Sequence, residues 1–287
     1  MTWSFDTKAP IAAKVDIAAG SIHLIAGDQT ETVVTVNPAN PSSKMDVDAA
    51  GKARVEYSGS VLSVIVPKPG GMLAYVSFRD WGLVDVVIEL PAGSSVAAKT
   101  GAGSVRADGQ FGDVTARSGA GDIHVDDAHA RHLVSGAGRL TLGSSRGDAE
   151  LVTAGDMDIG AIAGSANVKN LNGHTRIGEV SGSLRVRSAN GDISVGRAAS
   201  DVAIRTANGS IGIGELVSGE VSLATASGAL EIGIAKGTSA WVDARTQFGQ
   251  VRNELEPTGG PGDDSDSVEI RARTSFGDVH IHRSSTD

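Results

Sequence analysis

The chain has 287 residues, 38 of them Gly, with no Cys, 3% aromatic residues and a formal net charge of −9. The absent cysteines exclude a disulfide framework and thiol chemistry, and the acidic balance argues against general nucleic-acid binding. So few rings suit a thin core between two close sheets, and glycine that recurs periodically means turns rather than disorder.

The first eight residues, M-T-W-S-F-D-T-K, show no basic segment leading into an apolar one, and no run of about 18 apolar residues occurs anywhere. The expectation is a cytoplasmic protein without a transmembrane segment. Up to residue 100 the pattern is irregular, with strand candidates at 15–17, 22–24, 33–36, 53–57, 62–66, 84–90 and 96–98. An insertion at 68–82 holds Met72, Tyr75, Phe78 and Trp81. Clustered aromatics can anchor a partner, or the segment can fold back as a lid on the chain's own flank.

From residue 101 the chain repeats itself. From Gly173 it reads G-H-T-R-I-G-E-V-S-G-S-L-R-V-R-S-A-N, and from Gly191 it reads G-D-I-S-V-G-R-A-A-S-D-V-A-I-R-T-A-N. Anchor glycines stand at Gly103, Gly121, Gly138, Gly155, Gly173, Gly191, Gly209, Gly228, Gly249 and Gly277. Self-similarity at a fixed period marks a solenoid. Each anchor is followed by one alternating strand, as at Ile193/Val195, and each unit ends in a second, as at Val202/Ile204. Alternation with period 2 buries one face of a strand. Two short strands per coil of about 18 residues predict an all-β, single-stranded parallel β-solenoid of roughly 13 coils.

Other 18-residue coils fail on particular residues. A hexapeptide helix needs a small aliphatic residue at every sixth position, and Ile193, Ala199 and Arg205 do not supply it. A calcium roll needs two G-G-x-G-x-D blocks per coil, whereas a single Asp follows only some anchors. Three residues before the anchors runs a small polar column: Thr100, Ser118, Ser135, Asn170, Ser188, Thr206, Thr225, Thr246 and Thr274. It is expected to point inward, where a hydroxyl satisfies a turn or bonds to the next coil.

Lys169, Arg187 and Arg205, 18 residues apart, form a basic file on one outward face, with Arg185 two positions upstream of Arg187. Like charges on neighbouring strands repel, so the file is a candidate face for an anionic partner. The alternative is a solvated face that discourages aggregation. The stretch Asp126 to His132 holds ligand-type residues across a turn that would not converge, and Asp156, Asp158 and Arg176 are the nearest approach to a glycosidase-like acid group. No metal, cofactor or catalytic residue is expected, since no nucleophile elbow, P-loop or H-E-x-x-H motif occurs. The acidic Gly/Pro-rich segment 255–267 reads as disordered. The organisation expected is one domain over 1–287: irregular coils to 100, regular repeats over 101–250, and a last coil over 251–287.

The segments V-D-I-A-A-G-S-I-H-L at 15–24, I-E-L-P-A-G-S at 88–94, T-R-I-G-E-V-S-G-S-L-R-V-R-S-A-N-G-D-I at 175–193, F-G-Q-V-R-N-E-L at 248–255 and R-A-R-T-S-F-G-D-V at 271–279 run through the whole chain. In them the chain resembles a bacterial family of unknown function labelled "putative adhesin", made of Gly-rich β-solenoids. The resemblance implies the solenoid fold and brings no catalytic residues. The function expected is a non-enzymatic scaffold or binding platform with a protein partner, self-associating through its ends. The alternatives are a cell-surface adhesin and an enzyme or binder acting on an anionic polysaccharide.

Overall fold

The computed structural model describes residues 1–68, 81–256 and 266–284. Met72, Tyr75 and Phe78 lie outside them, as does most of the acidic segment 255–267. The chain divides into two compact units, Met1–Ser144 and Ser145–Asp287.

The first unit holds β1 (Thr2–Asp6), β2 (Ala12–Gly27), β3 (Glu31–Pro38), α1 (Lys44–Gly51), β4 (Arg54–Ser58), β5 (Val61–Val66), β6 (Val84–Pro91), β7 (Ser95–Ala102), β8 (Val105–Ser118), β9 (Ile123–Ser135) and β10 (Leu140–Ser145). The long β2 serves two sheets. Its first half lies parallel between β5 and β7, and its second half parallel between β6 and β8. Alternate residues point inward, so Val15, Ile17, Ile22, Leu24, Val64, Val86, Val105 and Ala107 are all buried. Burial of each of these Val, Ile and Leu side chains is worth roughly 1.5–3 kcal/mol.

The parallel pattern stops at the outer strands of this unit. There β4 runs antiparallel to β5, β3 antiparallel to β6, and β1 antiparallel to β3. Phe5 of β1 meets Tyr57 of β4 with ring centroids 5.2 Å apart, so two rings plug the space between the sheets. The helix α1 has no counterpart among the expected elements. Ser43 caps it, accepting from Asp46 N at 3.4 Å, while the buried Asp46 carboxylate accepts from Asn40 N and Leu83 N at 3.1 and 3.0 Å. Its start signal, S-K-M-D, is local and its length is only two turns, so no helical period announces it.

The second unit holds β11 (Ala149–Thr153), β12 (Met157–Ile162), β13 (Ala166–Asn170), β14 (Thr175–Val180), β15 (Leu184–Ser188), β16 (Ile193–Ala198), β17 (Val202–Asn208), β18 (Ile211–Leu216), β19 (Gly219–Ser227), β20 (Leu230–Ile234), β21 (Ser239–Phe248), β22 (Val251–Asn253), β23 (Ser267–Phe276) and β24 (Val279–Arg283). Odd-numbered strands stack in one parallel sheet and even-numbered strands in another, each one coil on from the last. Ile177, Val195 and Ile213 are register partners 18 residues apart. The parallel β-solenoid expected from the repeat is the fold observed.

The spatial order of the final coils departs from chain order. Strand β23 pairs with β19 on one side and β21 on the other, and β24 likewise lies between β20 and β22. The coil expected to be last is therefore next to last, and β21–β22 forms the end. The side chains account for the exchange. Inward positions of β23 and β24 are Val268, Ile270, Ala272, Val279 and Ile281, all buried. The corresponding positions of β21 and β22 are Ala240, Val242, Ala244, Val251 and Asn253, and three of them, Ala240, Val242 and Asn253, are smaller or more polar than their partners Val268, Ile270 and Ile281, so this coil loses less by facing water.

Candidate functional site

What repeats faithfully is structural. Gly191 has φ +110°, and a Cβ there would sit 2.1 Å from Gly173 O, so only glycine lets adjacent coils close at the anchor. Ahead of it, Asn190 Nδ2 donates to Asn172 Oδ1 at 2.9 Å and Asn208 Nδ2 to Asn190 Oδ1 at 3.0 Å, a ladder along the stack. The small polar column is mostly buried, as parity requires. Ser118, Ser135 and Thr225 donate to the anchor carbonyls of the neighbouring coil, Gly103, Gly121 and Gly209, at 2.7–3.0 Å. Ser188 and Thr206 instead close their own turns on Asn190 O and Asn208 O. The Asp residues after the anchors also join coils. Asp156 accepts from His174 N at 3.0 Å and Asp192 from Ser210 N at 2.8 Å.

The glycosidase-like group dissolves on the same grounds. Asp156 serves the neighbouring backbone, and Asp158 pairs with Arg176 at 3.2 Å. Asp126 to His132 splits into two unrelated groups, each completed from the next strand. His124 Nε2 lies 2.9 Å from Asp126 Oδ1, near Asp108, whose Oδ2 takes Arg106 Nε at 2.7 Å and His23 Nε2 at 2.8 Å. Burial works against the charged form of Asp108, but the hydrogen bonds from Arg106 and His23 prevail and hold its carboxyl below the usual range. His129 and Arg131 both reach Asp113, and the Arg131 hydrogen bond lowers that carboxyl also. A guanidinium already supplies the positive charge in each group.

Trp81, read as part of a partner loop, is 8% exposed and packs against Ala18 and Ala19, with Lys68 Nζ 5.6 Å from its ring centroid. Its face is committed to the chain's own core, which removes it from any partner surface.

Two features remain available at the surface. One is the basic file. Lys169, Arg187 and Arg205 are direct register neighbours on β13, β15 and β17, all exposed, with Arg185 exposed beside them. Lys169 reaches Glu150 at 3.5 Å, but Arg185, Arg187 and Arg205 have no ion-pair partner among the described residues. The opposite sheet shows the contrasting solution. There Arg197 stands between Glu179 and Glu215 at 2.7 and 3.0 Å, signs alternating along the stack.

The other feature is the open end, which the sequence reading expected at the coil over 251–287 and which β21 and β22 form instead. Among the described residues β21 pairs only with β23, and β22 only with β24. Their inward positions Val242, Ala244 and Thr246 are half-exposed and Val251 is exposed, where the next coil in holds buried residues. Trp241 and Phe248 are 57% and 64% exposed, and Phe248 stacks on Phe276 at 4.9 Å. Among the described residues no ring pair closes this end as Phe5 and Tyr57 do in the first unit. The doublets F-G at 248–249 and 276–277 were the available signal, since a large ring replaces Ala, Asn or Ser before the anchor.

A family model described as Toastrack DUF4097 matches residues 14–286. No curated protein matches. Among solved structures, the chain is similar to a "putative adhesin" from Bacteroides fragilis at 13% identity, covering 98% of this chain and 96% of that one with a TM-score of 0.39. It is also similar to a "putative lipid binding protein" from Parabacteroides distasonis at 9% identity, covering 99% and 96% with a TM-score of 0.29. A "putative cell adhesion protein" from Clostridium sporogenes matches at 10% identity, covering 98% of each with a TM-score of 0.20. No helix among the described residues is long and apolar enough to cross a membrane.

Proposed function

The chain belongs to the Toastrack DUF4097 family, and from that premise we propose that it is a non-enzymatic interaction scaffold that self-associates through its open β21–β22 end. The carrying observation is the solvent-facing interior of that coil together with its two sheet edges, which no strand among the described residues pairs. An unpaired edge is a template for another strand. A two-fold axis normal to the sheets would pair β21 with β21 and β22 with β22, each antiparallel, in one isologous contact.

The charges on β21 suit that geometry. Asp243 and Arg245 flank Ala244 and are paired with each other at 2.9 Å. An antiparallel partner centred on Ala244 sets each Asp243 opposite the second copy's Arg245. The arginines of the basic file, which have no ion-pair partner among the described residues, support a second contact, with an anionic partner, on a face the self-contact leaves open.

Sedimentation velocity of the full chain over a concentration series tests the self-contact. The expected result is a mass rising from the 29.1 kDa monomer towards twice that value. Arg245→Asp should hold the chain monomeric by setting like charges opposite one another, and adding Asp243→Arg should restore the dimer. A wild-type chain that stays monomeric to high micromolar concentration would overturn the reading.

A further inference from the structure

We propose that β20, β24 and the residue after β22 build a binding site for a divalent transition-metal ion of the zinc type. His280 and His282 alternate on β24 and so share one face of the strand, their ring centroids 5.0 Å apart. Glu231 of β20 is the register partner of His280. One ligating atom each from Glu231, His280 and His282 lies within 4.8 Å of the others. Glu254, just past β22, approaches from the opposite side, its Oε1 3.1 Å from His280 Nε2.

Two details of hydrogen bonding mark this cluster, which unlike the Asp108 group has no guanidinium within it. His282 Nδ1 lies 2.8 Å from the Arg283 carbonyl oxygen. A carbonyl only accepts, so Nδ1 carries the proton and the Nε2 lone pair of a neutral ring is directed outward. It then faces Glu231 Oε1 at 3.6 Å, acceptor towards acceptor. A ring N–H held by a backbone carbonyl is the arrangement that fixes a metal-ligating imidazole. His280 Nε2 is buried and, despite the nearby Glu254, makes no hydrogen bond. Lone pairs and carboxylates converging without enough protons are what a cation satisfies.

The donor set selects the ion. Two imidazoles with carboxylates suit zinc and its neighbours in the first transition row, whereas magnesium and calcium prefer oxygen alone. A tetrahedral zinc shell with bonds of about 2.0–2.1 Å needs its ligand atoms roughly 3.3 Å apart. Rotation of the exposed Glu231 side chain can close the present spacing. Arg283 does not compete, because its guanidinium is turned away to Ala235 O and Thr238 O at 3.0 and 2.7 Å. Arg252 stands beside His280 on β22 and its charge opposes the ion.

Isothermal titration of the full chain with zinc chloride, with cobalt absorbance as a spectroscopic check on the ligand set, tests the site. The expected stoichiometry is one ion per chain. His280→Ala and His282→Ala should each weaken binding at least about tenfold, with circular dichroism confirming that the fold persists. Arg252→Ala leaves the ligands intact and should tighten binding, while Asp108→Asn should leave it unchanged. A wild-type chain that binds no zinc, or affinity that is insensitive to both histidine variants or to Arg252→Ala, overturns the proposal. The two histidines lie on β24, one strand in from the β22 edge, so the effect of their variants is read whether or not the chain self-associates.

Discussion

Gly191 and Gly212 show how differently one residue type is used within a single stack. Gly191 combines φ +110° with a neighbouring carbonyl 2.1 Å from where its Cβ would stand, while nothing lies within 4 Å of a Cβ built on Gly212. Gly191→Ala is therefore expected to lose at least the ~1–3 kcal/mol of a forced backbone. Gly212→Ala should be neutral or stabilising, because alanine restricts the unfolded chain. Thermal unfolding of the two variants checks this, and equal midpoints would contradict the role given to the anchors. At this scale alternation and the polar column were legible, because period 2 dictates which side chains face inward. The Asp residues after the anchors were legible only as a failed calcium pattern. Their hydrogen bonds to a backbone one coil away depend on register, which the linear order does not display. Glu179, Arg197 and Glu215 were within reach, being 18 residues apart with alternating sign.

Strands β13, β15 and β17 turn a sequence period into a row of charge. Stacking at the inter-strand spacing of about 4.8 Å brings Lys169, Arg187 and Arg205 together, and of the three only Lys169 has a counter-charge among the described residues, at Glu150, whereas Arg197 on the other sheet receives two. An anionic chain lying along the stack would meet all three. Reversing the file with Lys169→Glu, Arg187→Glu and Arg205→Glu is expected to abolish binding to a heparin column at low salt. Retention equal to wild type would leave the file a solvated face. The element-scale departures have physical causes of the same local kind. The helix α1 is too short to show a period. The antiparallel strands β1, β3 and β4 keep the same alternation as parallel ones, so pattern alone could not orient them. The exchange of β21–β22 with β23–β24 follows from which coil carries more apolar surface, a comparison that spacing between glycines cannot make.

For the whole molecule, the repeat discloses a scaffold and says little about its use. Solenoid coils contact only their neighbours, so a terminal coil must be capped, plugged or paired. The rings of Phe5 and Tyr57 plug one set of strands, whereas the interior positions of β21 and β22 face water among the described residues. The central claim, that this end pairs with a second copy about Ala244, is tested most directly by a single cysteine. The chain has none of its own, so Ala244→Cys introduces one thiol. Antiparallel strands related by a two-fold axis through this residue bring its two Cα atoms to about 4.5–5.5 Å, within the 4.4–6.8 Å a disulfide spans. Mild oxidation should convert Ala244→Cys rapidly into a covalent dimer, while a cysteine at the exposed Glu220 stays largely monomeric. Dimer formation no faster at residue 244 than at residue 220 would contradict the account.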